Sequence, residues 1–139
     1  MSYKIIGKYI KDLKFNIPNP KTFFLLSKDI SNYKINIDIK SNQLKERVID
    51  VETSLSLLPT KKEDDNIITK ILFSTIIEIN EKINDKSEIE KIVLIKVPTK
   101  IYPELRKIFI LVFESSGFKD IKINKSINFE KLYYLRKNQ

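Results

Sequence analysis

Few residues in this chain of 139 could carry out chemistry. It has no cysteine and no histidine, so it lacks the usual nucleophilic thiol, the side chain that titrates near neutrality, and the two commonest zinc ligands. The tightest acidic cluster, Glu63-Asp64-Asp65, falls in a predicted turn, where carboxylates are ordinarily solvated. With only two glycines, the chain has no phosphate-binding loop and no dinucleotide fingerprint. We therefore expect no catalytic residue, no metal site and no cofactor, and predict that the chain is not an enzyme.

Apolar side chains could serve a different function, namely the binding of a partner. Such binding needs few polar groups in fixed positions. Phe23, Phe24, Leu25 and Leu26 follow one another in a segment, Lys21 to Tyr33, that we predict to be a loop. Four consecutive apolar residues in a connection are either docked under a sheet or exposed for a partner. An unfolded polypeptide offers apolar side chains and unpaired backbone, and a long apolar groove would hold it. The sequence leaves both interpretations of these four residues open.

The elements that would position such a groove begin with strands. Four segments alternate between apolar and polar residues, which is typical of strands with one buried face. They cover approximately residues 3–17, 35–39, 49–57 and 67–80. Pro18-Asn19-Pro20 ends the first, because proline cannot continue a strand ladder. Residues 59–66 are predicted to form a charged hairpin loop. The pattern indicates a meander of antiparallel strands.

The last third of the chain is predicted to be helical. One helix is expected to begin at Pro103, whose missing N–H suits a first helical position, and to end at Gly117. A short helix follows Asn128. Residues 87–97 fit a helix or a strand, and we favour a short helix that starts with a capping box at Ser87 and Glu90. The whole pattern predicts one α+β domain over residues 1–139, an antiparallel sheet of about four strands with a long and a short C-terminal helix packed on one face.

The long predicted helix is apolar nearly all round. A sheet covers only one side of such a helix, so its other sides need further partners. We infer that other subunits cover them. The predicted subunit interface consists of Leu105, Ile108, Phe109, Leu111 and Val112.

The formal net charge of +8 is typical of domains that bind nucleic acid or another anionic surface. However, the lysines are interleaved with acids and only three basic residues are arginines, so nucleic-acid binding is the less favoured alternative. The amino terminus is interrupted by lysines and has no signal-peptide core, and no apolar run is long enough to span a membrane. We expect a cytoplasmic protein without membrane insertion.

Two motifs at opposite ends of the chain carry a family resemblance. Residues 9–20, YIKDLKFNIPNP, are similar to the opening Y-x-K-D-[IL]-S-F-E-x-P-N-x-P of the bacterial export chaperone family SecB. Residues 98–106, PTKIYPELR, and 117–133, GFKDIKINKSINFEKLY, are similar to the carboxyl third of that family. The motifs occur in the family's order and at about its spacing, so the chain resembles SecB over nearly its whole length.

The resemblance implies a holdase that works without ATP, binds unfolded preproteins and passes them to the translocase motor SecA. It implies a homotetramer, a dimer of dimers with helices packed between two sheets, and a client groove lined in part by a crossover loop, here Phe23, Phe24, Leu25 and Leu26. In the family an acidic sheet surface receives the basic tail of SecA. Asp12 matches one acidic position, whereas Asn16 stands where the family commonly has glutamate and Ile71 roughly where it has another acid. A SecB-like chaperone for another client, such as an antitoxin, and an oligomeric scaffold without clients remain alternatives.

Overall fold

The structure, a computed structural model, describes residues 2–28, 33–59, 67–118 and 121–137. It contains four strands, β1 (Tyr3–Asn16), β2 (Tyr33–Lys45), β3 (Val48–Pro59) and β4 (Ile68–Ile79). They form one antiparallel sheet in the order β1-β4-β3-β2, so β1 and β2 are its edges. The charged loop with Glu63, Asp64 and Asp65 lies outside the described residues except for Pro59.

The alternation in the sequence divides the sheet into two faces. Buried side chains such as Leu55, Ile71 and Ile77 point to the side that the helices cover, which we call the helix face. Their neighbours along each strand point to the other side, the open face, because successive side chains alternate across a strand. Two register shifts interrupt β1, between Ile5 and Gly7 and between Ile10 and Asp12.

One continuous helical run extends over residues 86–115. It comprises α2 (Lys86–Lys91), a π-helical segment (Ile92–Lys96) and α3 (Val97–Ser115). The π segment is closed by the backbone N–H of Val97, which donates to the carbonyl of Ile92. The preference for a helix over residues 87–97 is therefore confirmed. Its cap is Asp85, whose side chain accepts from the Ser87 N–H, and not the predicted Ser87 capping box.

The predicted helix start at Pro103 is wrong, because α3 begins at Val97 and Pro103 lies inside it. The proline removes one backbone hydrogen bond from the helix. Val97, Ile101 and Leu105 around it are fully buried, and this burial offsets the loss. The proposed end is confirmed, since Gly117 follows α3 with a left-handed φ of 95°.

The predicted loop from Lys21 is also wrong over its first part, which is the helix α1 (Pro20–Lys28). Asn19 caps it, because its side-chain oxygen accepts from the Thr22 N–H at 2.9 Å and from the Thr22 hydroxyl at 3.0 Å. Pro20 occupies the first helical position, which its fixed φ suits.

The core lies between the helix face and α3. Phe109 and Phe113 are fully buried there, and Phe15 of β1 meets Phe113 edge to face at 5.1 Å between ring centroids. The chain then runs back along α3, held by the hydroxyl of Tyr102, which donates to the Asn124 carbonyl at 2.6 Å. Burial raises the pKa of this hydroxyl, and the charge of Arg106 partly opposes the shift.

The short helix α4 (Phe129–Lys137) closes the same side of the sheet, with Phe129 and Tyr133 buried. The predicted α+β fold is thus confirmed, a four-stranded antiparallel sheet with a long and a short C-terminal helix on one face. No helix among the described residues is both long and apolar enough to cross a membrane.

Candidate polypeptide-binding surface

An apolar groove opens between β2 and α4. Ile37 and Ile39 of β2 form one wall, and Phe129 and Tyr133 of α4 form the other. The cavity measures about 140 Å³, and its lining is completed by Leu94, Leu132 and Arg136. Such a volume takes one or two apolar side chains, and its open side lets a chain continue along α4.

Charged side chains stand at the rim of this groove. Arg136 lies 3.6 Å from a carboxylate oxygen of Asp38, and Lys137 donates to the Tyr133 hydroxyl at 3.0 Å. The hydrogen bond to Tyr133 and the electrostatic effect of the same phenol raise the pKa of Lys137. A groove with an apolar floor and a polar rim suits a polypeptide that is bound because its apolar side chains become buried. Such binding does not require a particular sequence.

The four apolar residues of α1 divide into two pairs. Leu26 is fully buried, and Phe23 packs on Phe118 with 4.9 Å between ring centroids. By contrast, Phe24 is 60% exposed and Leu25 is 48% exposed. The side chain of Phe23 also lies 3.3 Å from where a Cβ on Gly117 would stand, so α1 is seated against the end of α3. Of the four predicted client-binding residues, only Phe24 and Leu25 are presented to a partner by the single chain.

The predicted subunit interface divides in the same way. Leu105 and Phe109 are fully buried against the sheet of their own chain, so neither can directly contact another subunit. Leu111 is 60% exposed, whereas Ile108 and Val112 are partly buried at the sides of α3, and Ile108 packs against the core. The side of α3 away from the sheet, its outer face, thus exposes Leu111 among mostly polar residues such as Lys107 and Glu114.

The β1 edge is an apolar surface that the sequence reasoning missed. Ile6, Tyr9, Ile10 and Leu13 are each about half exposed, although β1 pairs with β4 along its whole length. A long edge strand with exposed apolar residues is a ready template for another strand. The signal was present in the adjacent apolar pairs Ile5-Ile6 and Tyr9-Ile10, which place apolar residues on both faces of one strand.

The predicted SecA-binding residues lie on the open face. Asp12 stands opposite Leu72 and Asn16 opposite Ile68 on β4. The carboxylate of Asp12 is 3.6 Å from Lys14 of its own strand. Ile71, in contrast, is fully buried on the helix face and takes no part in this surface.

The two buried carboxylates of the open face were not predicted. Asp50 accepts a hydrogen bond from the Ser74 hydroxyl, and Glu52 accepts one from Lys11, whose pKa is raised by this bond and by the charge of Glu52. The strict alternation along residues 49–57 could have revealed them, because it sends both acids to the same side. In the described part of the chain, no three acidic, cysteine or histidine side chains come together as a metal site.

The chain is similar to known proteins over nearly its whole length. The family described as Preprotein translocase subunit SecB matches residues 1–139. The putative protein-export protein SecB of Pelagibacter ubique is 40% identical over 137 residues, covering 99% of this chain and 98% of that protein. The protein-export protein SecB of Nitrosospira multiformis is 27% identical over 137 residues, covering 99% and 84%.

Among solved structures, a similar fold occurs in the SecB-like chaperone Rv1957 of Mycobacterium tuberculosis, determined in complex with a ChAD peptide from the HigA1 antitoxin. The TM-score is 0.64, with 10% sequence identity over 88% of this chain and 90% of that one. At this identity the likeness concerns the fold alone.

Proposed function

This chain belongs to the SecB family of protein-export chaperones, and we propose that it holds unfolded preproteins without ATP and delivers them to the SecA motor of the translocase. The family consists of chaperones, and we propose no enzymatic activity and no cofactor for this member. We place it in the cytoplasm, where preproteins are met before export.

The observation that carries the holding function is the apolar surface around α1 and α4. Phe24 and Leu25 are exposed on α1, and the groove beside Ile37 and Leu132 is open to solvent. Burial of one large apolar side chain contributes about 1.5–3 kcal/mol, and several such contacts in series hold a chain without reading its sequence. A folded protein has already buried these side chains, so the surface would select non-native clients.

The apolar surfaces of β1 and α3 suggest how the chaperone assembles. We propose that β1 edges pair between two chains and that the outer faces of α3, with Leu111 and the flanking Ile108 and Val112, pack between two such pairs. The result is a homotetramer, a dimer of dimers. The surfaces proposed for assembly do not include Phe24, Leu25 or the lining of the β2–α4 groove.

Delivery to SecA is assigned to the open face, where Asp12 and Asn16 lie. This assignment is supported by the family's use of the corresponding surface and by the position of both residues on the side away from the helices. An antitoxin or another polypeptide is the alternative client, supported by the fold shared with the antitoxin-bound chaperone.

The proposed holding surface is tested by the double substitution Phe24→Ser and Leu25→Ser. We expect the variant to suppress the aggregation of a denatured secretory precursor at least about tenfold less well, because two exposed apolar contacts are removed. The measurement is light scattering after rapid dilution of the precursor, with native mass recorded on the same sample.

Leu44→Ser is the matched control, because Leu44 is equally exposed at the far end of β2. It should hold the precursor as the parent protein does. Equal holding by the parent and the Phe24/Leu25 variant, with both at the same native mass, would remove α1 from the client surface.

A further inference from the structure

The open face of the sheet has a charge arrangement that bears on what it binds. Side chains directly opposite each other on neighbouring strands point to the same side, so the registers assign each charge to a face. The open face carries five acids, Asp12, Asp38, Asp50, Glu52 and Glu78, and seven lysines, Lys4, Lys11, Lys14, Lys34, Lys40, Lys45 and Lys70. Cations therefore outnumber anions on this face.

Every one of these five acids is already engaged within its own chain. Four contact a basic side chain: Glu78 with Lys4 at 3.4 Å, Asp12 with Lys14 at 3.6 Å, Asp38 with Arg136 at 3.6 Å, and Glu52 with Lys11. The fifth, Asp50, accepts from the Ser74 hydroxyl and is buried. A basic partner would have to displace these contacts before it gained its own.

Several lysines of the same face lack such compensation. Within the ranges that the structure describes, Lys34, Lys40, Lys45 and Lys70 form no ion pair. Lys70 stands directly opposite Lys14, and Ser56 is its neighbour on the other side. Like charges placed opposite each other destabilise a sheet, and an anionic partner would relieve this repulsion.

Apolar residues flank this pair of lysines. Ile68, 58% exposed, and Leu72, partly buried, precede and follow Lys70 on the open face of β4, and Leu58 on β3 is about half exposed. The result is a flat patch in which ammonium groups alternate with aliphatic side chains. A nucleic acid would favour arginine and stacked aromatic rings, whereas this patch fits carboxylates interleaved with aliphatic residues.

We propose that the open face, at its Lys14–Lys70 end, docks an acidic polypeptide segment with aliphatic residues, carried by a partner protein. The charge complementarity is opposite to that of an acidic surface that receives a basic tail, so the recipient would contact the lysines beside Asp12 and not the Asp12 carboxylate, which is paired with Lys14. The proposal rests on the proposed function only for the identity of the protein that carries the segment, namely the recipient of the client.

The test uses the full chain and two labelled peptides, one of glutamate and leucine and one with lysine in place of each glutamate. Fluorescence anisotropy should show at least about tenfold tighter binding of the acidic peptide at low salt, with affinity falling as salt is added. The double variant Lys14→Glu and Lys70→Glu should lose at least about tenfold of this affinity. The control, Lys96→Glu and Lys131→Glu, changes net charge equally at exposed positions of the helices and should bind as the parent does.

Three results would overturn the proposal: equal binding of the two peptides, tighter binding of the lysine peptide, or an unchanged affinity in the Lys14/Lys70 variant. A single-stranded oligonucleotide that competes as well as the acidic peptide, and loses affinity in the same variant, would assign the patch to nucleic acid. Precursor holding by each variant is measured in parallel. A variant that loses peptide binding but still holds the precursor shows that the docking patch is separate from the holding surface. A parent protein that holds no precursor contradicts the proposed function instead.

Discussion

At the scale of single residues, two buried hydroxyl groups lower the free energy of unfolding. Thr53 and Thr75 lie on the helix face of the sheet and are fully buried. Among the described residues, the hydroxyl oxygen of neither has a hydrogen-bond partner. A buried polar group without a partner costs about 1–3 kcal/mol, because its hydration is lost and nothing replaces it.

We therefore expect the double substitution Thr53→Val and Thr75→Val to stabilise the protein. Valine keeps the branched shape and removes the unpaired hydroxyl, so the free energy of unfolding should rise by about 1 kcal/mol or more. Urea unfolding followed by circular dichroism measures the change.

Thr22→Val provides the contrasting control. The Thr22 hydroxyl is also buried but is bonded to Asn19, so its removal should lower the free energy of unfolding by about 0.5–1.5 kcal/mol. If the Thr53/Thr75 variant were destabilised to the same extent, both hydroxyls would have partners in solution and the expectation would be wrong.

At the scale of elements, strands were easier to predict than helices. The alternation of Ile35, Ile37 and Ile39 with polar residues predicts a half-buried strand, because successive side chains point to opposite faces of a sheet. The helix start was misplaced because Pro103 was interpreted from its local preference, whereas burial of the residues around it decides its position. The signal for α1 was present in Asn19-Pro20, an N-cap followed by a proline at the first helical position, but was interpreted only as the end of a strand.

The two sides of α3 lead to a prediction about assembly. Leu111→Asp places a charge on the exposed outer face, so we expect the fold to persist and the oligomer to dissociate. Phe109→Asp buries a charge in the core of the subunit itself, which costs several kcal/mol, so we expect unfolding. Native mass together with far-ultraviolet circular dichroism separates the two results.

Lys131→Asp is the control for Leu111→Asp, because it adds the same group at an exposed position of α4, outside the proposed interface. It should leave both the mass and the fold unchanged. A Leu111→Asp protein that kept the mass of the parent would show that the outer face of α3 does not join subunits.

At the scale of the whole molecule, composition alone could not locate the functional surfaces. The net charge of +8 states the excess of lysine, but only the structure shows that Lys14 and Lys70 stand together while the five acids of the open face are engaged. Likewise, the cluster of Phe23 to Leu26 was visible in the sequence, but which two residues reach solvent depends on how α1 is seated on Phe118 and Gly117. The family resemblance supplied the fold and the class of function, because both depend on motifs that extend over the chain.

The apolar surfaces of the single chain also predict its state in solution. A monomer would leave the β1 edge, Leu111 of α3 and the exposed residues of α1 all in water, and so much apolar surface is unusual for a protein that stays monomeric. We expect a native mass four times the 16.4 kDa of one chain. Because assembly stabilises the folded chains by mass action, the melting temperature should rise with protein concentration.

After rapid dilution of a denatured secretory precursor into the sample, the assembly should take up one precursor and remain in solution. A monomer with a concentration-independent melting temperature that ignored the precursor would contradict both the assembly and the holding function, and RNA binding would then be the first activity to measure.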